Sequence, residues 1–204
     1  MVSNVNSMNL DAAELFNECL SQATVVIKQV LPSHLANATP DSESDVRDVI
    51  NHMLTILAAV SPTDVPSPVD METDPEEAVL DQPIADLSVQ WQLAADKAEA
   101  SVEETDPEDS ILYQGEPIVF EDFMTQVAGD LLIHAWDLGE AIGMPVRFAP
   151  AVAEAVMETT TVPNPLALPS HNMFVVPINP PANADLQARL LAMFGRSHAW
   201  RTVA

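Results

Sequence analysis

Cationic side chains are scarce in this chain: 7 Lys and Arg stand against 31 Asp and Glu, a formal net charge of -24. Nucleic acid and anionic membrane are excluded as primary partners, because binding a polyanion gains from cationic side chains and is opposed by a carboxylate surface. Glycine is almost as rare, at 5 residues. Neither a glycine-rich phosphate loop nor a nucleophile-elbow pattern can be found. The single cysteine, Cys19, has no intramolecular disulfide partner,. No apolar run approaches the roughly 20 residues of a membrane span. The first residues lack both a basic region and an apolar core of the signal-peptide kind, so secretion is not expected and the cytoplasm is the expected compartment.

Apolar residues are plentiful, at 48% of 204 residues, which is enough for a well-buried core despite the charge,. One domain over residues 1–204 is expected, with a helical core at 9–143 and an extension at 144–204 packing on it,. So acidic a surface fits a protein kept soluble in high salt, and equally an ordinary acidic protein.

The pattern of the chain is helical. Residues 9–31 carry Ala12, Leu15, Phe16, Cys19, Leu20, Ala23, Val26, Ile27 and Val30 at i, i+3, i+4 spacing, and Pro32 predicts the stop,. Cys19 falls on that stripe as a small buried thiol. A second helix is predicted from Ser44 as its cap, with Asp45 and Asp48 in the first turn, a stripe of Val46, Val49, Ile50, Met53, Leu54 and Leu57, and an end at Pro62,. Residues 61–83 turn to Pro, Asp, Glu and Ser and predict a long solvated crossover, one of the ways a four-helix bundle is wired. A third helix over 84–103 would bury Ile84, Leu87, Trp91, Ala94, Ala95 and Ala98, with Trp91 a core residue. A turn or small hairpin is predicted over 111–119. The fourth helix, 121–142, has Gly143 to close it and Pro145 beyond,. Short helices near 150–159 and 185–194 complete the chain, the last closed by Gly195.

On the fourth helix the stripe Phe123, Val127, Leu131, Leu138 and Ala141 also carries Asp130 and His134,. An ionised Asp is rarely buried without a compensating partner. Residues i and i+4 lie one above the other, so this carboxylate and imidazole can reach one divalent ion about 2.0–2.2 Å from each. A buried Asp–His ion pair without metal accounts for the two residues as well. His52, mid-way along the second helix beside Val49, Ile56 and Ala59, is the candidate third ligand, and a structural histidine at the edge of the apolar face is its plainer reading. Three protein ligands would leave one coordination position open to water or substrate. His34, His171 and His198 fall at helix ends or in loops and are expected at the surface. Arg47, one turn from His52, is the candidate group for an anionic substrate, or else a solvated partner of nearby acids. The other carboxylates cluster in solvated runs such as Glu103 to Asp109, where no burial would tune a pKa.

Three stretches, DVRDVINHM at 45–53, GDLLIHAWDLGEAIG at 129–143 and ADLQARLLAMFGRSHAW at 184–200, together resemble the DinB-like metal-binding superfamily. The branch is the one similar to the N-terminal domain of mycothiol-dependent maleylpyruvate isomerase. The resemblance implies a DinB-like four-helix bundle, all-α, with a long crossover between helices 2 and 3. It also implies a divalent metal, usually zinc with nickel or manganese as alternatives, held by His52, Asp130 and His134; Trp136 and Asp137 belong to the same motif. It further implies a low-molecular-weight thiol or other small-molecule substrate and chemistry of the S-transferase or isomerase type. A non-catalytic metal-binding or interaction bundle is the alternative, and a homodimer is allowed. Ser44 stands where the family commonly has tryptophan, and Asp130 where it commonly has Glu or His. No second domain of the full isomerase is expected here, so its reaction is not transferred.

Overall fold

Asp11 opens the first helix by accepting from the backbone N–H of Glu14 at 2.8 Å, while Glu14 accepts from the N–H of Asp11 at 3.2 Å. This reciprocal cap satisfies two of the amides that a helix start leaves unpaired. The computed structural model describes residues 10–41, 44–60, 84–113, 116–160 and 177–200. Among them run α1 (Ala12–Ile27), a 3-10 turn (Pro32–His34), α2 (Val46–Val60), α3 (Ile84–Glu104), strands β1 (Ser110–Tyr113) and β2 (Glu116–Val119), α4 (Phe120–Ala141), α5 (Pro150–Thr160) and α6 (Leu186–Met193). The predicted crossover over 61–83 lies outside the described residues.

The architecture is mainly helical, as expected, with one antiparallel hairpin pairing Ser110 with Val119 and Tyr113 with Glu116. Helix α1 ends at Ile27, earlier than Pro32 alone predicts. Tighter bonds, Gln29 N–H to Val26 O at 2.9 Å and Val30 N–H to Ile27 O at 3.1 Å, unwind the last turn before the proline,. Ser44 is not the cap of α2. Asp45 takes that place, accepting from Asp48 N–H at 3.0 Å while Asp48 accepts from Asp45 N–H at 3.0 Å. The Ser44 carbonyl instead accepts from the hydroxyl of buried Thr39 at 2.8 Å, and the same hydroxyl lies 3.0 Å from the carbonyl of Asp41.

One continuous cluster of buried apolar side chains runs from Ala12 to Leu191. Helix α1 packs along α4, α2 against both α3 and α4, and α3 against α1. Trp91 is buried as predicted, and its indole N–H donates to Thr24 Oγ1 at 2.9 Å, tying α3 to α1. Helix α4 is the central element. Its predicted stripe widens into burial on almost every side, from Phe120 to Ala141, because α1, α2 and α5 all lie against it,. Helix α5 packs on α4, α1 and α6, bringing the C-terminal part of the chain back onto the helices. Gly143 closes α4 at φ +73°, and Asn37 Nδ2 caps its end by donating to Ala141 O at 2.9 Å. Among the described residues no helix is long and apolar enough to cross a membrane.

Candidate metal centre

Helix α4 presents Asp130, His134 and Asp137 at spacings of four and three residues, so that all three fall on one face,. Helix α2 lies against α4 and contributes His52. His52 Nε2 stands 3.5 Å from Asp130 Oδ2, and His134 Nε2 stands 3.9 Å from Asp130 Oδ1. The two imidazoles meet edge to face with ring centroids 4.9 Å apart. One ligand atom from each of His52, Asp130 and His134 lies within 4.8 Å of the others, so the group could hold a metal ion. Donors bound about 2 Å from a tetrahedral ion sit roughly 3.3 Å apart, so small side-chain movements close the set.

Two features of these atoms suit the binding of an ion. His52 Nε2 is covered from solvent yet has no hydrogen-bond partner, since 3.5 Å to Asp130 is too long for a well-formed bond,. Leaving such an atom unsatisfied costs free energy that coordination would recover. His134, by contrast, is held from behind: its Nδ1 lies 3.2 Å from Asp137 Oδ2. A carboxylate faced by a guanidinium only accepts, so Nδ1–H donates and the Nε2 lone pair is left for the cluster.

Asp137 is fully buried and receives Arg196 on both oxygens: Nε at 3.2 Å from each, and Nη2 at 2.9 Å from Oδ2. Arg196 Nη2 also reaches Asp41 Oδ2 at 3.2 Å, and Nη1 donates to Phe194 O at 3.1 Å. The carboxylates of Asp41 and Asp137 thus share one guanidinium, and with Asp130 nearby the buried charges carry an excess of negative charge that a divalent cation or protonated imidazole offsets,.

Burial works against ionisation of Asp130, but contact with His52 and the positive charges at His134, His52 and Arg196 outweigh it and hold the carboxyl below its usual range. Burial likewise works against the imidazolium of His134, and the hydrogen bond to Asp137 with the charges of Asp130 and Asp137 outweighs it, raising its pKa. Around Arg196 burial is opposed by Asp137 and then Asp41, so the guanidinium stays charged.

The three predicted ligands therefore meet, and the side chains of His52 and Asp130 keep 20% and 22% exposure where His134 keeps 8%. Arg47 is half-buried in the first turn of α2, five residues before His52. The cation whose charge bears on Asp130 and His134 is Arg196. His34 is half-buried, not at the open surface, because its Nδ1 accepts from Leu31 N–H at 3.1 Å within the 3-10 turn. His198 is exposed and His171 lies outside the described residues. Cys19 is buried, and burial followed by the charge of Glu18 pushes its thiol up to about 12. A cleft of about 470 Å³ lined by Trp136, Glu140, Arg147 and His198 lies beside the far end of α4 and includes none of the three ligands.

Reading the chain alone missed Arg196 and Asp41, and reached Asp137 only through the family motif. A signal for Asp137 was present, one helical turn after His134 on the same face. For Arg196 the signal was weaker: a rare cation directly after the helix-closing Gly195. Comparison of the chain with protein-family profiles, curated proteins and solved structures returns no match.

Proposed function

We propose that this chain is a divalent-metal-binding helical bundle of the DinB-like type, with His52, Asp130 and His134 as ligands and zinc as the ion. The observation that carries the reading is the convergence of three donors from two helices, one of them a buried imidazole nitrogen that makes no well-formed hydrogen bond. Two nitrogens and one oxygen form a donor set that zinc accepts, and nickel or manganese tolerate. The same set with a fourth position open is the arrangement of a catalytic site, and solvent reaches the flanks of His52 and Asp130,. A metal there supplies acidification of a bound thiol at neutral pH. Asp130 and the two histidines orient the donors, and Asp137 keeps the His134 proton on Nδ1. We read the activity as thiol-dependent, of S-transferase or isomerase type, on a low-molecular-weight thiol or other small molecule.

A non-catalytic metal-binding or interaction bundle is the second reading, favoured by the position of the 470 Å³ cleft, which lies away from the ligands. Metal content by mass spectrometry on the purified protein is the first test. About one equivalent is expected in the wild type, with the ion lost in both His52→Ala and His134→Ala. A wild-type chain that takes up no zinc, nickel or manganese on reconstitution leaves Asp130 and His134 as a buried ion pair. Where metal is present, a shift of the ion's spectrum on adding thiols after cobalt replacement separates the catalytic reading from the second one.

A further inference from the structure

Behind the three ligands lies a set of buried charges that does not touch the ion position. Asp137 is fully buried, Asp41 and Arg196 nearly so, at 4% and 7% exposure. Charges taken this far out of water cost more than well-packed apolar groups unless their partners are close, so their presence asks for a role beyond stability. Arg196 is delivered by the chain that leaves α6. Gly195 stands at φ +70°, the left-handed conformation that favours glycine, and the reversal is locked by Arg196 N–H donating to Leu191 O at 2.8 Å,. From there the guanidinium occupies both oxygens of Asp137, and Phe194 O and Asp41 take its remaining contacts. Asp137 cannot turn away without breaking this chelate, and its Oδ2 is the atom that faces His134 Nδ1 at 3.2 Å.

We propose that Asp137 and Arg196 are positioning residues for His134, fixing its Nδ1–H tautomer and aiming Nε2 at Asp130 and His52, so that metal affinity depends on docking of the segment that follows α6. The two neutral tautomers of an imidazole differ little in energy in water, and only the one protonated at Nδ1 leaves a lone pair on the atom nearest Asp130,. A carboxylate hydrogen-bonded to the far nitrogen of a ligand histidine both selects that tautomer and raises the ligand's basicity. The inference rests on the metal-binding reading of His52, Asp130 and His134.

The test uses the full chain in two forms. In the metal-free protein, at a pH high enough to leave His134 neutral, long-range nitrogen–proton spectra of 15N-labelled histidines report its tautomer without any ion. In the zinc-loaded protein, competition with a chromophoric chelator gives the Kd. Asp137→Asn is expected to mix the His134 tautomers and weaken zinc by about 10–100-fold. Arg196→Lys keeps the charge but not the planar fork, and is expected to weaken zinc by less. Thr24→Ala, which removes the acceptor of the Trp91 indole N–H between α1 and α3, is the stability control. It is expected to lower Tm while the tautomer and Kd stay as in the wild type. Should Asp137→Asn fail to fold, the double variant Asp137→Asn with Arg196→Met removes both buried charges together and carries the same expectation. An unchanged tautomer and Kd in the Asp137 variants overturns the proposal, as does an affinity loss that merely follows Tm across all variants, Thr24→Ala included. A wild-type protein that binds no metal overturns the site reading on which the affinity claim rests, while the tautomer spectra still decide whether Asp137 orients His134.

Discussion

His134 answers to two carboxylates at once, Asp130 across its Nε2 and Asp137 across its Nδ1, and this sets opposite pH dependences for the metal-free and metal-loaded protein. Its folded-state pKa is raised above the ordinary histidine value of about 6.5, with burial opposed by the Asp137 hydrogen bond and the two negative charges,. The stability it contributes to the metal-free fold is therefore fully present below about pH 6.5 and is lost as pH rises through the raised value. Asp130 is held below its usual range; its contribution is present above about pH 4 and is lost only as pH falls through its lowered value,. A metal needs the unprotonated Nε2, so the proton on His134 competes with it. The metal-free protein should lose Tm as pH is raised from 6 toward 8, while zinc affinity measured over the same window should rise. Parallel changes in both quantities would show that His134 does not carry the proton that zinc displaces.

At the scale of elements, the site depends on a central helix whose C-terminal end is tied by backbone geometry. The segment after α4 folds back so closely that a Cβ on Gly139 would meet Met144 O at 2.6 Å and the Val146 side chain as well. Backbone cannot yield as a flexible side chain can, and Gln187 clamps the same segment from α6, accepting from Phe148 N–H at 3.0 Å and donating to Val146 O at 3.0 Å. Gly139→Ala is therefore expected to cost about 1–3 kcal/mol, as overpacked interiors do. At roughly 2–4 °C per kcal/mol for a chain of this size, thermal unfolding would register a clear drop in Tm. A variant as stable as the wild type would mean that the 144–148 segment is free to move off α4.

These close approaches mark the limit of what could be read from the chain. The helices were legible because apolar spacing is local: Trp91, Cys19 and the stripe of α2 apart from the half-buried Leu54 are buried where periodicity placed them. Boundaries shifted where a competing group won, Asp45 over Ser44 at the start of α2, and tighter turns before Pro32 at the end of α1. Of the site, the spacing of Asp130 and His134 was visible because it is a property of one helix. His52 needed the packing of α2 on α4, which no spacing encodes. The Asp41–Arg196–Asp137 chain joins residues 155 and 59 positions apart, and such contacts have no periodic signature.

For the molecule as a whole, the excess of acid is the dominant long-range force. A net charge of -24 on 204 residues means that compaction brings like charges together, and self-repulsion opposes the fold,. The ion pairs on the buried side run the other way, but Asp137 and Arg196 are covered by protein and are screened little by salt,. Added salt should thus weaken the repulsion far more than the attraction. Between about 0.01 M and 0.3 M the Debye length shrinks from roughly 30 Å to under 10 Å, a range over which neighbouring surface carboxylates cease to sense one another. Stability should rise steeply over that interval and flatten beyond it. If screening relieves about 2 kcal/mol, Tm rises by roughly 4–8 °C. Thermal unfolding of the metal-free protein in increasing sodium chloride measures this, and the shape of the curve identifies the cause. Screening saturates within a few tenths molar, whereas exclusion of salt from the surface grows steadily into the molar range. A Tm that is flat or falls at low salt would mean that attractive surface pairs outweigh the repulsion. The acidic balance would then be a solvation feature and not a force the fold works against.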